Sequence, residues 1–198
     1  MQADDGGKGR GGFIPRFWRW LSKPSARWSV LALLALGVAV GAAATVGTQV
    51  MVAVTGTDAF CGGACHSMQW VANEHRASSH HVNRTGVVAG CHDCHIPKAY
   101  PELLWYKTRA GIKDVVQEAR GVISTEEKFK KERPRMAKLV WDEYKANDSR
   151  ACRNCHQFTA EIVAKQKDFV KPMHAQALAG TATCIDCHKG IAHTAPDE

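Results

Sequence analysis

Eight cysteines and ten histidines fall into a pattern that points to one kind of chemistry. Cys-x-x-Cys-His occurs three times, as Cys91/Cys94/His95, Cys152/Cys155/His156 and Cys184/Cys187/His188. Cys61/Cys65/His66 is a fourth copy, with Gly62, Gly63 and Ala64 between its cysteines in place of two residues. All the cysteines are used. The spacing suits two thiols that add across the two vinyl groups of one haem while the adjacent histidine reaches the iron. Disulfide frameworks and zinc sites also use paired cysteines. Neither explains a histidine directly after every second cysteine, and zinc needs four ligands on one metal. The cysteines therefore predict four covalently bound c-type haems.

Four such irons with two imidazoles each would need further histidines. Outside the motifs the chain has His75, His80, His81, His92, His174 and His193. His174 and His193 flank the fourth motif and are candidate iron ligands. His80 and His81 are adjacent and cannot easily serve one site together, so one, His80, is the candidate and the other is expected to be solvated. His92, inside an attachment loop, and His75 are expected at the surface. Met68 follows His66 by two residues. Its thioether is an alternative iron ligand that raises the potential, against its ordinary use in packing.

Positioning these residues falls to a chain with an apolar start and a polar remainder. Trp28 to Thr57 contains no charged residue and is rich in Ala, Val, Leu and Gly, longer than the roughly 20 residues a membrane-spanning helix needs. Arg16, Arg19, Lys23 and Arg27 precede it and Asp58 follows, which orients the N-terminus to the cytoplasm. Phe17, Trp18, Trp20 and Trp28 suit an interfacial belt. A cleavable signal peptide is the alternative, with Ala42 to Ala44 as small residues for cleavage, but its apolar region is usually about 7–15 residues. The expected organisation is a cytoplasmic segment over 1–27, a transmembrane anchor in the lipid bilayer over 28–57, and an exported tetrahaem domain over 58–198. A formal charge of +7 raises the question of nucleic acid. Eight haem propionates would offset most of it, and we expect no nucleic-acid partner.

The expected fold class is mainly α with much irregular structure: one N-terminal transmembrane helix plus a small multihaem c-type cytochrome domain. Secondary structure should be sparse, because haem rather than side chain must fill the core. Cys61 to Cys91 is a step of 30 and Cys152 to Cys184 a step of 32, which suggests two dihaem halves. Between them Leu103, Leu104, Tyr106, Ile112, Val115 and Val116 are spaced for one apolar helical face. Gly121 should end that helix. Ser124 and Glu127 have capping-box spacing for the next, which Pro134 should break or restart.

The chain resembles the NapC/NirT family of membrane-anchored tetrahaem cytochromes, which includes the small subunit of cytochrome c nitrite reductase. The resemblance is most specific in Asp148-Ser149-Arg150 through His156 and in Thr183 through His193. It implies oxidation of membrane quinol and electron delivery to a periplasmic reductase across the bacterial inner membrane. In relatives whose first motif continues as Cys-His-x-Met, the methionine binds the first iron, and Cys65-His66-Ser67-Met68 matches that element. The longer Cys61–Cys65 loop departs from it. The family's quinol site uses a lysine and an aspartate on the helix after the second motif, which fall by position on Lys107 and Asp114. Residues seven apart share one helix face, and quinol oxidation needs a hydrogen-bond donor for a ring oxygen and a group to accept a proton. A solvated helix face is the bland reading of the same pair.

The resulting expectation is a quinol-oxidising electron relay, an electron-transfer subunit more than a stand-alone enzyme. Nitrate reductase is the favoured partner and a nitrite reductase the second. Competing classes are a tethered shuttle that never meets quinol and a multihaem enzyme acting on a small molecule, for which the chain looks too small. With ten residues after His188, no C-terminal haem domain of the kind found in trimethylamine-oxide respiratory relatives is expected.

Overall fold

The structure, a computed structural model, describes residues 30–196. Among them are ten α-helices and one 3-10 turn, and no strand. Contacts divide the chain into two compact units, Met1–Val50 and Met51–Glu198. The mainly α class expected from the sequence is what the described residues show. The sparse secondary structure is not, because short helices form at each cysteine pair and two long ones run between the second and third.

Helix α1, Val30–Val54, is 25 residues long, about 37 Å at the usual rise, against a bilayer core of about 30 Å. It is long and apolar enough to cross a membrane. Its few hydroxyls are satisfied within the helix, Thr45 Oγ1 donating to Gly41 O at 2.9 Å and Thr48 Oγ1 to Ala44 O at 2.8 Å, as a lipid environment requires. The basic and aromatic residues that orient the expected anchor, from Arg16 to Trp28, lie outside the described residues.

In the second unit, α2 (Asp58–Gly63), a 3-10 turn (His66–Met68) and α3 (Gln69–Ala77) pack together. The close approach of α2 to α3 requires a glycine, since a Cβ on Gly62 would lie 2.8 Å from Ala72 Cβ. Then come α4 (Cys91–His95), α5 (Glu102–Ala119), α6 (Glu126–Ala146), α7 (Arg150–Arg153), α8 (Ala160–Ala164), α9 (Lys171–Leu178) and α10 (Cys184–Cys187). The buried apolar side chains among the described residues are Ala72, Phe129, Val163 and Ile185. That is too little for a side-chain core.

Three details differ from the sequence pattern. The apolar positions of α5 do not form one buried face: Leu103, Leu104 and Tyr106 are half-buried, but Ile112 and Val115 are 65% and 67% exposed, as is Trp105 at 70%. Thr125 caps α6, accepting from Lys128 N at 3.3 Å, while Ser124 Oγ donates backwards to Gly121 O at 3.0 Å. Pro134 does not break α6, which continues through it. An interior proline costs about 3 kcal/mol. The helix is pinned on both sides of it, by Phe129 stacked on Trp70 at 6.3 Å and by Tyr144 Oη donating to Cys94 O at 2.6 Å.

Gly121 ends α5 as expected. With φ at +62°, its N–H bonds to Glu118 O at 2.9 Å and the Val122 N–H to Gln117 O at 3.2 Å, the paired bonds of a Schellman turn. An L-residue in this conformation costs about 1–2 kcal/mol. Gly121→Ala should therefore lower the thermal midpoint of the intact protein by several degrees without changing its visible absorption spectrum. An unchanged melting curve would mean that the turn contributes nothing to stability.

Candidate haem-binding centre

Each cysteine motif begins on a short helix, and in the second and fourth a carboxylate holds its start. In α4, Asp93 Oδ2 accepts from Gly90 N at 2.9 Å, and at α10 Asp186 Oδ2 accepts from Thr183 N at 2.8 Å and Thr183 Oγ1 at 2.9 Å. Both motifs read Cys-x-Asp-Cys-His, and both aspartates reach back to the residue before the first cysteine. Lys145, 2.7 Å from Asp186 Oδ1, leads the causes that hold that carboxyl down at about 2.

The motifs are fastened to one another by polar side chains. Asp58 Oδ1 accepts from Cys91 N at 2.7 Å, which joins α2 to α4. The Cys61 and Cys91 thiols interact, which lowers Cys61 to about 7 and raises Cys91. Burial raises the Cys152 thiol to about 11, and its neighbour Cys184 adds to the shift. The first motif adjoins the second, the second adjoins the third, and Ser149 joins the third to the fourth, so the motifs form a series and not the two separate halves that the 30- and 32-residue steps suggested. The third motif hangs from the end of α6 through Asp148 and Ser149, both with positive φ, 54° and 50°. Ser149 is fully buried, and its Oγ accepts from Ile185 N of the fourth motif at 3.2 Å.

No disulfide joins any of the eight cysteines. Their burial is uneven, which the motif spacing does not anticipate. Cys155 and Cys187, the second cysteines of the third and fourth motifs, are exposed, while the other six are half-buried. Both were expected to hold a haem, and a thiol joined to a haem edge would be covered by it. Cys155 also lies beyond the last residue of α7, where its N–H bonds to Cys152 O at 3.2 Å in a tight turn. Helix α7 thus carries the first cysteine of its motif and not the second.

Three motif histidines each face a distal histidine: His95 and His193 with ring centroids 6.2 Å apart, His156 and His80 at 6.2 Å, and His188 and His174 at 6.1 Å. Two imidazoles sharing one metal, with bonds of about 2 Å and roughly 1.1 Å from each nitrogen to its ring centre, would stand about 6.3 Å apart. The residues present fit iron held between two histidines. The ring nitrogens agree. His80 Nδ1 donates to Ile191 O at 3.3 Å and His174 Nδ1 to Gln166 Oε1 at 2.5 Å. Each Nδ1 therefore carries its proton, leaving the Nε2 lone pair for a metal. His193 is held in place by its neighbours: Arg133 Nη1 donates to Thr194 O at 2.6 Å and Arg133 also pairs with Glu74, and Glu74 Oε2 accepts from Thr194 N at 3.2 Å.

Two of the remaining histidines depart from expectation. His75 is buried, not on the surface, and its Nε2 donates to Ala89 O at 2.8 Å. That bond takes the nitrogen a haem iron would use. His81 is half-buried, with its ring edge-on to His75 at 5.3 Å, where solvation was expected. His92 remains partly exposed, its Nε2 3.3 Å from Asp93 Oδ1.

The first motif differs from the rest. His66 has its Nδ1 2.9 Å from Glu118 Oε1, and the same carboxylate accepts from the Ser67 hydroxyl. Lys107 and Asp114 lie on the same helix, α5. Lys107 is near enough to Cys61 for its charge to help lower that thiol, and its Nζ would lie 3.9 Å from a Cβ on Gly56. Burial pushes the Cys65 thiol up, and the charges of Glu118 and Asp114 add to it. Asp114 is itself largely exposed, with Lys113 Nζ at 3.5 Å. Met68 is exposed. Lys107, Asp114 and Glu118 thus flank the first motif from one helix. Sequence reasoning missed Asp58, Tyr144, Ser149 and Glu118. Only Glu118 had a signal, four residues after Asp114 on its face.

The profile of the NapC/NirT cytochrome c family, N-terminal region, matches residues 23–198. The chain is similar to the cytochrome c-type protein TorC of Escherichia coli K12, 44% identical over 183 residues, which cover 92% of this chain and 46% of TorC. It is also 44% identical to TorY of Haemophilus influenzae over 85% of this chain and 45% of that protein. NapC of Escherichia coli K12 is 40% identical over 187 residues, 94% of this chain and 92% of NapC. The chain thus spans about half the length of TorC and TorY. No solved structure gives a significant match.

Full use of the four loops has a direct measure. The intact mass should exceed that of the polypeptide by four haems, with haem staining retained on a denaturing gel. An excess of three haems would mean that the longer Cys61–Cys65 loop is not charged.

Proposed function

The chain belongs to the NapC/NirT cytochrome c family, and from that premise we propose that it is an inner-membrane tetrahaem cytochrome with its haem domain in the periplasm. In this reading it takes electrons from membrane quinol and passes them to a periplasmic reductase. The observation that carries the reading is the face of α5 on which Lys107 and Asp114 flank Cys61 and Cys65. Haem bound at those cysteines would supply a one-electron acceptor. The other requirements fall to side chains. Quinol gives up two electrons and two protons, so one ring oxygen needs a donor and its proton needs an acceptor. The Lys107 ammonium can donate only, and the Asp114 carboxylate can accept. The exposed Trp105, Ile112 and Val115 on the same helix offer apolar surface to an isoprenoid tail.

The cysteine pairs hold the haems covalently, and the axial ligands we assign are His95 with His193, His156 with His80, and His188 with His174. The first iron has His66 or Met68. The contacts of α2 with α4 and of α4 with α7, and the bond from Ile185 N to Ser149 Oγ beside the third motif, support an uninterrupted relay. Nitrate reductase is the partner we favour, with a nitrite reductase as the alternative; coverage of 92% of NapC supports a chain of that kind. The 44% identity to TorC and TorY favours a second reading, a reductase for another acceptor. Deleting the protein and measuring which quinol-dependent reductase activity is lost separates them.

Lys107→Ala and Asp114→Asn should keep full haem content and normal reduction by small soluble donors. Their oxidation of a quinol analogue should fall by about 10-fold or more, the scale of one positioned proton-transfer or hydrogen-bonding group. Normal quinol oxidation in both variants would move the site elsewhere and favour the tethered shuttle.

The ligand pairs have their own test. His80→Ala, His174→Ala and His193→Ala should each let the reduced protein bind one carbon monoxide more than the parent, because each opens one iron. A variant that takes up none extra marks a histidine that is not a ligand.

A further inference from the structure

His80 and His174 are oriented by bonds to their own rings, and His193 is not. The Nδ1 of His80 and that of His174 each donate to an acceptor, Ile191 O at 3.3 Å and Gln166 Oε1 at 2.5 Å. The Nδ1 of His193 is buried without a hydrogen-bond partner, and Glu74 Oε2 stands 4.0 Å from it, beyond bonding reach. A metal-bound imidazole is ordinarily held through its second nitrogen. Here the grip falls on the backbone of the next residue. Arg133 Nη1 donates to Thr194 O at 2.6 Å, and Glu74 Oε2 accepts from Thr194 N at 3.2 Å. Arg133 and Glu74 also pair with each other, their side chains only 17% and 23% exposed. Both main-chain polar groups of one residue are thus held by a half-buried ion pair whose members come from α6 and α3. The pair is itself braced. The Arg133 guanidinium lies 4.6 Å from the centre of the Phe129 ring, and Phe129 stacks on Trp70, one turn before Glu74 on α3.

We propose that Arg133 and Glu74 are positioning residues that hold the His193 imidazole opposite His95 by fixing the backbone of Thr194. The inference rests on the assignment of His193 as the distal ligand of the second iron. Neither residue touches the metal. Hydrogen bonds to charged groups are about twice as strong as neutral ones, so an ion pair that grips both an N–H and a C=O restrains the histidine beside them without a bond to its ring. Thr194 is exposed, and the bonds from Arg133 and Glu74 go to its main chain. The ligand of one iron is thereby fixed from two helices, α3 and α6, that carry neither of its histidines.

The test uses full-length, haem-loaded protein purified from membranes, with haem content and thermal midpoint measured alongside. The readouts are carbon monoxide uptake by the reduced protein and the share of high-spin haem in its absorption and magnetic circular dichroism spectra. Glu74→Ala and Arg133→Ala should each keep the haem content of the parent, turn one low-spin haem high-spin and take up one carbon monoxide more, the increment expected of His193→Ala. Glu74→Gln, which keeps an acceptor for the Thr194 N–H, should match the parent. So should Thr194→Ala, which leaves both main-chain groups in place. A variant weakened only in packing would melt earlier without opening an iron. If a single variant fails to load haem, Glu74→Ala combined with Arg133→Ala takes its place, because it strands no charge. Parent-like uptake and spectra in the Glu74→Ala and Arg133→Ala proteins, or an opened iron in Thr194→Ala, would overturn the proposal while His193→Ala still binds the extra carbon monoxide. No extra uptake in His193→Ala would remove the ligand assignment, and the proposal with it.

Discussion

Covalent attachment of a large apolar group at the cysteine pairs is the constraint from which the rest of this molecule follows. Burial of apolar surface contributes about 25 cal/mol per Å², and here Ala72, Phe129, Val163 and Ile185 are the apolar side chains buried among the described residues. Chain entropy opposes folding at every ordered residue, and these four cannot offset it. A flat apolar cofactor fastened at both edges supplies what they do not.

With so little packing, orientation falls to polar joints, and each one ties one motif to another or to a long helix. Asp58 accepts from the Cys91 amide, Tyr144 donates to the Cys94 carbonyl, and Ser149 accepts from the Ile185 amide. Glu118 completes the set at the first motif. A hydrogen bond in a low-dielectric interior is stronger than in water, and an unmet polar group there is costly. Such joints fix distances between cofactors more precisely than apolar contacts, which tolerate sliding. Ser149 illustrates the balance: its left-handed backbone is strained, yet its amide, carbonyl and hydroxyl are all bonded.

The same logic governs the histidines. A ring nitrogen tied to a backbone carbonyl or a side-chain acceptor leaves the other nitrogen committed. His80 and His174 are tied through Nδ1 and keep Nε2, whereas His75 is tied through Nε2. Residues of the same type in one short chain are thereby sorted into different roles by which atom their neighbours engage.

Four cysteine motifs, an apolar helix and a mainly helical remainder were legible in the residues themselves, because cysteine spacing and hydropathy are local properties. The step of 30 residues from Cys61 to Cys91 and of 32 from Cys152 to Cys184 suggested two halves, whereas the second and third motifs also adjoin. Partnership between distant residues was not legible. Nothing local says that His95 meets His193 across 98 positions; ring separation decides it. Pro134 misled for a related reason, since propensity describes a helix alone, and here tertiary anchors override it. Sequence determined which chemical groups the chain carries and their order. The tertiary structure decided which of them face each other, because that depends on how loops of polar joints close around groups that side chains do not supply.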